Sequence, residues 1–135
     1  MSLAIDASAA VALHFLDERP AFEAMEERLA SGEDAFTAPN FFQEVMEALR
    51  GGIRSGRTTP EDVAAWLTVL DSYGIQPIDL YPCAASATWL IAEQLNISAY
   101  DAGYIAVAKG RGLELFTNDA VIRRRAPKAG VSTRP

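Results

Sequence analysis

Two acidic residues stand where predicted strands end, a position from which side chains can do chemistry. Asp6 follows the predicted buried strand 3–5, and residues 7–13 after it carry no charge. Asp119 follows the predicted strand 114–117 in the same way. Capping the next helix would explain either acid alone, yet open α/β sheets place their ligand crevices at such strand ends. The repeated arrangement is more suggestive of a shared site than either acid by itself.

Two further acids lie on predicted helices without an obvious partner. Asp101 closes a capping box with Ser98, but no Lys or Arg lies three or four residues away. The helix that follows Asp101 is apolar on all sides, which predicts a buried element. Glu44 falls at the edge of its helix's apolar arc, at about 100° per residue, so a boundary residue reaching for water is an equal alternative. Both acids are candidate ligands.

A convergence of these four carboxylates would restrict the chemistry. Crowded like charges raise one another's pKa and destabilise the fold unless a cation neutralises them. A set of oxygen ligands without His or Cys selects a hard ion, Mg²⁺ or Mn²⁺. A metal-activated water that attacks a phosphodiester is the natural reaction of such a site.

Other chemistries lack the residues they need. The chain has one histidine, His14, in an apolar stretch, and one cysteine, Cys83, without a nearby base or zinc-ligand spacing. His14 is therefore predicted to be structural, and Cys83 to be a reduced packing residue. Neither a GxxxxGK(S/T) phosphate loop nor a strand-linked GxGxxG occurs in the sequence.

Short apolar runs alternate with longer helical ones, which predicts an α/β sheet with helices on both faces. Strands are predicted at 3–5, 35–38, 75–78 and 114–117, with a weak fifth near Val131. Helices are predicted at 7–16, 21–30, 41–54 behind a capping Asn40, 60–73, 84–95, 99–110 and, in a short form, after Asp119.

Length and charge predict one soluble domain over residues 1–135, since half of the 135 residues are apolar. The net charge is −6, but residues 1–119 hold all eighteen acids and residues 120–135 hold five cations and no acid. This basic C-terminal segment either grips a polyanion or only keeps the protein soluble. The apolar stretch 3–16 lacks a basic start and carries Asp6, so a cytoplasmic protein without a membrane segment is predicted.

Four segments in one order resemble the PIN-domain ribonucleases, specifically the VapC toxins of type II toxin–antitoxin systems. They are Ala4 to Ala9, Gln43 to Leu49, Tyr100 to Ala108 and Leu115 to Asp119. The resemblance implies a PIN-like three-layer domain with a central parallel sheet of four to five short strands. It also implies cleavage of single-stranded RNA, a homodimer, and a VapB-like antitoxin that blocks the site.

By their positions in these segments, the resemblance assigns roles to individual residues. Asp6 and Asp101 would be the principal ligands of Mg²⁺, with Mn²⁺ as a substitute. Glu44 and Asp119 would complete the site directly or through water. Side chains that would orient a ligand or the attacking water, or contact the substrate, are Ser8, Thr117 and Asn118.

One position departs from the family, which often has Asn where Glu47 stands. This predicts a more acidic rim around the pocket. The predicted RNA contacts are Arg50, Arg54 and Arg57, followed by Arg123 to Arg125. Solvated surface charge is the simpler explanation for any one of these arginines.

Two alternatives belong to other functional classes. A phosphatase of the haloacid dehalogenase type would use Asp6 as nucleophile, but it would need a second Asp where Ser8 stands. A non-catalytic module, either receiver-like or a degenerate nuclease, would use the acidic pocket only for binding. A receiver would show paired acids after its first strand and a lysine after a late strand, and this sequence has neither.

Overall fold

The structure, a computed structural model, describes residues 1–81 and 84–135. The strands in these ranges are β1 (Ser2–Ile5), β2 (Asp34–Thr37), β3 (Gln76–Pro77), β4 (Leu115–Phe116) and β5 (Thr133–Arg134). The helices are α1 (Ala7–Ala12), α2 (Glu23–Ala30), α3 (Phe41–Arg54), α4 (Pro60–Ser72), α5 (Ala85–Leu95), α6 (Ala99–Arg111) and α7 (Ala120–Arg125). Short 3-10 turns at Arg19–Phe22 and Ala126–Ala129 precede α2 and follow α7.

The strands form one parallel sheet in the order β3-β2-β1-β4-β5. β1 lies at its centre, where Ala4 is paired with Phe36 of β2 on one side and Leu115 of β4 on the other. The strands that follow β1 in the chain therefore lie on both sides of it, and ligands of α/β sheets bind at such a switch point. Parallel strands end at the same edge, so Asp6 and Thr117 are neighbours there.

Helix α6 packs against β1, β2 and β4. Its residues Ala102 to Ile105, Val107 and Ala108 are buried, as the apolar sequence on all sides predicts. A buried helix that runs antiparallel to the strands places its first turn at their carboxyl ends. Asp101 lies in that first turn.

The first helix is shorter than predicted. α1 ends at Ala12 rather than at Leu16, because the next two amides, those of Leu13 and His14, bond to carbonyls three residues back. The tighter turn buries Phe15 and leaves Leu16 82% exposed. The apolar stretch 3–16 therefore contains both the end of α1 and the turn that follows it.

The last strand lies slightly beyond its predicted position. Val131 is buried in the core, but β5 begins at Thr133. The amides of Leu115 and Thr117 donate to the carbonyls of Ser132 and Arg134, both at 2.9 Å. Backbone pairing therefore determines the strand, whereas the apolar pattern marked only the neighbouring core residue.

The predicted α/β fold with a central parallel sheet flanked by helices is confirmed. The prediction for Cys83 lies outside the described residues. Among the helices of 1–81 and 84–135, none combines the length and the apolar character needed to cross a bilayer.

Candidate functional site

Asp6 is buried at the end of β1, with only 2% of its surface exposed. It caps α1, since Oδ1 accepts hydrogen bonds from the amide of Ala9 at 2.9 Å and the hydroxyl of Ser8 at 2.7 Å. Oδ2 accepts one hydrogen bond from the hydroxyl of Thr117. Burial raises the pKa of Asp6 to about 6, although these three hydrogen bonds act in the opposite direction. A cation at Asp6 would therefore stabilise its ionised form.

The loop of residues 117–119, here called the β4–α7 loop, is hydrogen-bonded to Asp6 and Ser8. Thr117 donates to Asp6, and its Oγ1 accepts from the amide of Asp119 at 3.0 Å. The amide of Asn118 donates to Ser8 Oγ at 2.8 Å. The predicted orienting residues Ser8, Thr117 and Asn118 thus form one hydrogen-bonded network with Asp6.

Asp119 caps the helix that follows the β4–α7 loop. Its Oδ1 accepts hydrogen bonds from the amides of Val121 at 2.8 Å and Ile122 at 2.9 Å. Its negative charge also contributes to the raised pKa of both Asp6 and Asp101. Asp119 therefore both caps α7 and lies close enough to the two principal candidate ligands to repel their charges.

Asp101 is half-buried in the first turn of α6. Its amide donates to Ser98 Oγ at 3.1 Å, as the predicted capping box requires. Burial is the main cause of its raised pKa, and the charges of Asp119 and Glu44 add to the effect. The carboxylate of Asp101 therefore lies near acids from two other elements, Asp119 and Glu44. The sequence predicted this proximity only as a hypothesis.

Glu44 is held by two residues that the sequence analysis did not assign to the site. The hydroxyl of Tyr104 donates to Glu44 Oε2 at 2.9 Å, and Asn40 Nδ2 donates to Oε1. Asn40 precedes α3, but its side chain makes no capping bond, so the predicted cap is wrong. Burial and the charge of Glu44 raise the pKa of Tyr104 above its usual value, which keeps the hydroxyl protonated as a donor.

The signal for Tyr104 was present in the sequence. It is the one hydroxyl-bearing side chain in the apolar run 102–108, three residues after Asp101 on the same helix. A buried tyrosine hydroxyl needs a hydrogen-bond partner. Asn40 offered no comparable signal, because a helix cap is the commonest role of Asn at such a position.

The four acids approach one another but do not form a ready cage. Within residues 1–81 and 84–135, no group of three or more His, Cys, Asp or Glu side chains is arranged to hold a metal ion. Their oxygen donors nevertheless fit Mg²⁺, which is bound through one or two carboxylates and keeps waters or phosphate oxygens as its other ligands. Asp6 accepts three hydrogen bonds, and a carboxylate offers about four acceptor sites. One site on Oδ2 therefore remains for a cation.

Several arginines predicted to contact RNA are engaged within the chain. Arg50 pairs with Glu47 at 2.9 Å, and both side chains are exposed. Arg57 contacts Asp17 and Glu18. Arg123 donates to the carbonyl of Thr117, and Arg125 donates to the carbonyls that end α5. The charge of Glu47, which was predicted to make the rim of the pocket more acidic, is therefore partly neutralised by Arg50.

Comparison with known proteins adds two findings. A protein-family model described as PIN domain matches residues 3–128. The crystal structure of PAE2754 from Pyrobaculum aerophilum matches with a TM-score of 0.70 and 22% sequence identity, covering 98% of this chain and 92% of that chain. At that identity the structural likeness concerns the fold alone. A search of curated proteins finds no match to this sequence.

Proposed function

The chain belongs to the PIN-domain family, whose members are generally nucleases, and from this premise we propose that it is a metal-dependent endoribonuclease. One observation supports this proposal above all. The acids come from the end of β1, from α3, from α6 and from the β4–α7 loop. Burial raises the pKa of Asp6 and Asp101, and neighbouring acids add to it: Asp119 acts on both, and Glu44 acts on Asp101. Repulsion between these carboxylates destabilises the fold when no cation is present, and it favours the binding of a divalent cation.

The proposed ligands are Asp6 and Asp101, with Glu44 and Asp119 binding directly or through water. A divalent ion held there would neutralise phosphate charge and supply a water nucleophile for phosphodiester hydrolysis. Mg²⁺ is the proposed ion and Mn²⁺ its substitute, because both favour oxygen ligands.

The side chains around the acids have separate tasks in this proposal. Ser8 and Thr117 donate to the two oxygens of Asp6 and so fix the direction of its remaining acceptor site. Tyr104 and Asn40 hold Glu44 in the same manner. A carboxylate held at both oxygens needs little reorganisation when an ion and an RNA phosphate arrive.

The biological role that we propose is that of a VapC toxin. The supporting features are the four sequence segments of the family and the acidic site they carry. In this role the substrate is single-stranded RNA, the protein acts as a homodimer in the cytoplasm, and a VapB-like antitoxin neutralises it by covering the acidic site.

A cleavage assay on purified, antitoxin-free protein tests the function. Mixed cellular RNA would be incubated with Mg²⁺ or Mn²⁺, with EDTA as the metal-free condition. We expect metal-dependent fragments from the wild type and at least a ~100-fold lower rate from Asp101→Asn, because a carboxylate that acts on the reacting charge is lost. Asp71→Asn, an exposed acid on α4, is the matched control and should cleave like the wild type.

The outcomes separate the alternatives. Metal-dependent cleavage that persists in both Asp6→Asn and Asp101→Asn would reject the proposed site. Folded protein that binds Mn²⁺ but cuts no RNA would favour the non-catalytic binding module. Absence of metal binding in calorimetry would reject the shared acidic site altogether.

A further inference from the structure

Glu18 connects two distant parts of the chain beside the candidate site. It lies between α1 and the 3-10 turn at Arg19–Phe22, outside the sequence segments that carried the resemblance. Its Oε1 accepts a hydrogen bond from Asn118 Nδ2 at 2.9 Å, and its Oε2 accepts one from Arg57 Nη2 at 3.2 Å. Glu18 and Asn118 are 100 residues apart, so only the folded chain brings them together.

Asn118 carries this contact into the acidic site. Its own amide donates to Ser8 Oγ, and Ser8 donates to Asp6 Oδ1 at 2.7 Å. Its neighbours in the chain are Thr117, which donates to Asp6, and Asp119, whose amide donates back to Thr117. A contact that fixes the Asn118 side chain therefore fixes the middle of the β4–α7 loop, on which both neighbours depend.

Arg57 holds Glu18 from the opposite side. Its guanidinium lies 3.9 Å from the centre of the buried Phe15 ring, and its Nη2 is 3.1 Å from Asp17 Oδ1. Stacking on a ring and pairing with two carboxylates hold the planar guanidinium in one orientation. Arg57, predicted from sequence as an RNA contact, is thus held by three partners within the chain, although 44% of its side chain stays exposed.

We infer that Glu18 is a positioning residue for the acidic site. Arg57 orients Glu18, Glu18 holds the Asn118 side chain, and Asn118 sets the β4–α7 loop against Ser8 and Asp6. Glu18 acts only through Asn118 and touches neither the acids nor the substrate. This inference rests on the proposed function for its effect on turnover, but not for its effect on the loop.

Amide hydrogen exchange of the protein in EDTA tests the effect on the loop. In Glu18→Ala the amides of Asn118 and Asp119 should exchange about fivefold faster, because the loop loses one hydrogen bond that holds it closed. Glu26→Ala is the matched control, since it removes a carboxylate that pairs with another arginine, Arg19, and leaves Arg57, Glu18 and Asn118 in place. Glu18→Gln should exchange more slowly than Glu18→Ala but faster than the wild type, because its one amide oxygen can still accept from Asn118 while its NH2 group faces the Arg57 donor.

RNA cleavage then tests the consequence for turnover. Glu18→Ala should lower kcat about fivefold with little change in KM, because the effect reaches the reaction through one hydrogen bond and Glu18 makes no RNA contact. Glu18→Gln should restore kcat only in part, because it keeps the acceptor for Asn118 and loses the one for Arg57. The double variant Glu18→Ala with Asn118→Ala should be no slower than Asn118→Ala alone, since both remove the same contact.

Each contrary result has a distinct meaning. Equal exchange in Glu18→Ala and Glu26→Ala would overturn the positioning role, and so would faster exchange with undiminished kcat. Faster exchange in Glu18→Ala beside a wild type that cuts no RNA would support the contact to the loop and reject the proposed nuclease.

Discussion

At the scale of single residues, the site is a set of carboxylates whose oxygens are already oriented. Asp6 is held by Ser8, Thr117 and the amide of Ala9. Glu44 is held by Tyr104 and Asn40. Each hydrogen bond to a carboxylate favours its charged form, whereas burial and neighbouring acids disfavour it. The balance leaves an acidic site that a divalent ion would stabilise.

Tyr104→Phe tests how much the orientation of Glu44 matters. The change removes one hydroxyl, and we expect RNA cleavage to fall about fivefold because Glu44 loses a hydrogen bond on the order of 1 kcal/mol. Tyr73→Phe is the matched control, since Tyr73 also donates to a glutamate, Glu26, on another part of the surface. Steady-state cleavage rates check the prediction. Equal losses of activity in both variants would contradict it.

At the scale of elements, α3 packs against the turn that follows α1 closely enough to exclude a methyl group. A Cβ on Gly52 would lie 2.8 Å from Phe15 Cζ and 3.3 Å from Thr58 Cγ2. Phe15 cannot easily move away, because the Arg57 guanidinium lies over its ring. The neighbouring position, Gly51, has only Arg54 within 4 Å, at 3.9 Å.

The two glycines therefore predict opposite effects on stability. Gly51→Ala should raise the free energy of unfolding by about 0.5–1 kcal/mol, the usual gain inside an exposed helix. Gly52→Ala should lower it by about 1–3 kcal/mol, because the core is overpacked against Phe15. Urea denaturation of both variants checks the pair. A stabilised Gly52→Ala would mean that the ring moves aside freely.

His14 lies in the turn that follows α1 and packs against α4, which fits the structural role predicted from the sequence. Its ring packs against Phe15 and Trp66, and its Nε2 lies 2.7 Å from Thr58 Oγ1. Burial lowers the pKa of His14, although the charge of Asp62 acts in the opposite direction. The unfolded chain therefore binds a proton at a higher pH than the folded chain does.

A pH dependence follows from this lowered pKa. Stability from His14 is fully present above its ordinary pKa of 6.5 and is lost as the pH falls through the lower folded value. As the pH falls from 7 towards 5, we expect the free energy of unfolding of His14→Gln to rise relative to that of the wild type; the raised pKa of Asp6 stabilises the fold in the same range but is common to both proteins. Denaturation midpoints across this range check it. Parallel curves for the two proteins would contradict the assignment.

At the scale of the whole molecule, one surface is unusually apolar. Tyr81, Trp89 and Leu90 are all more than half exposed. Tyr81 and Trp89 line one depression, and Ala85 joins it to a second depression beside Leu90. Large exposed apolar side chains that share one surface commonly mark a protein interface. We propose that two copies of the chain meet at this surface in the homodimer proposed above.

Trp89→Glu should weaken that dimer. A charge at a central aromatic residue would raise the dimer dissociation constant at least about tenfold, because aromatic residues dominate interface energies. Val69→Glu, on α4, is the matched control for an added charge at a part-exposed apolar position. Sedimentation velocity over a range of concentrations checks both. A dimer unaffected by Trp89→Glu would place the interface elsewhere.

The sequence by itself determined the fold class and named the acids. Apolar periodicity located the strands and helices to within a few residues. The side chains that face the core must be apolar, and they recur at a spacing set by the strand or the helix. Asp6 and Asp119 were recognisable since each follows a strand, and Asp101 since it opens an apolar helix. The end of α1 was wrong by four residues, because a tight turn and a helix share the same apolar composition.

Only the tertiary structure decided which groups meet. Asn40 had every local mark of a helix cap, yet its side chain bonds Glu44. Nothing in the local sequence indicated that the exposed Arg57 stacks on Phe15 and donates to Glu18, which also accepts from Asn118. These contacts join residues far apart in the chain, where hydrogen-bond direction and distance depend on packing. Local sequence encodes the backbone of an element, whereas the partner of a polar side chain is set by what the fold brings beside it.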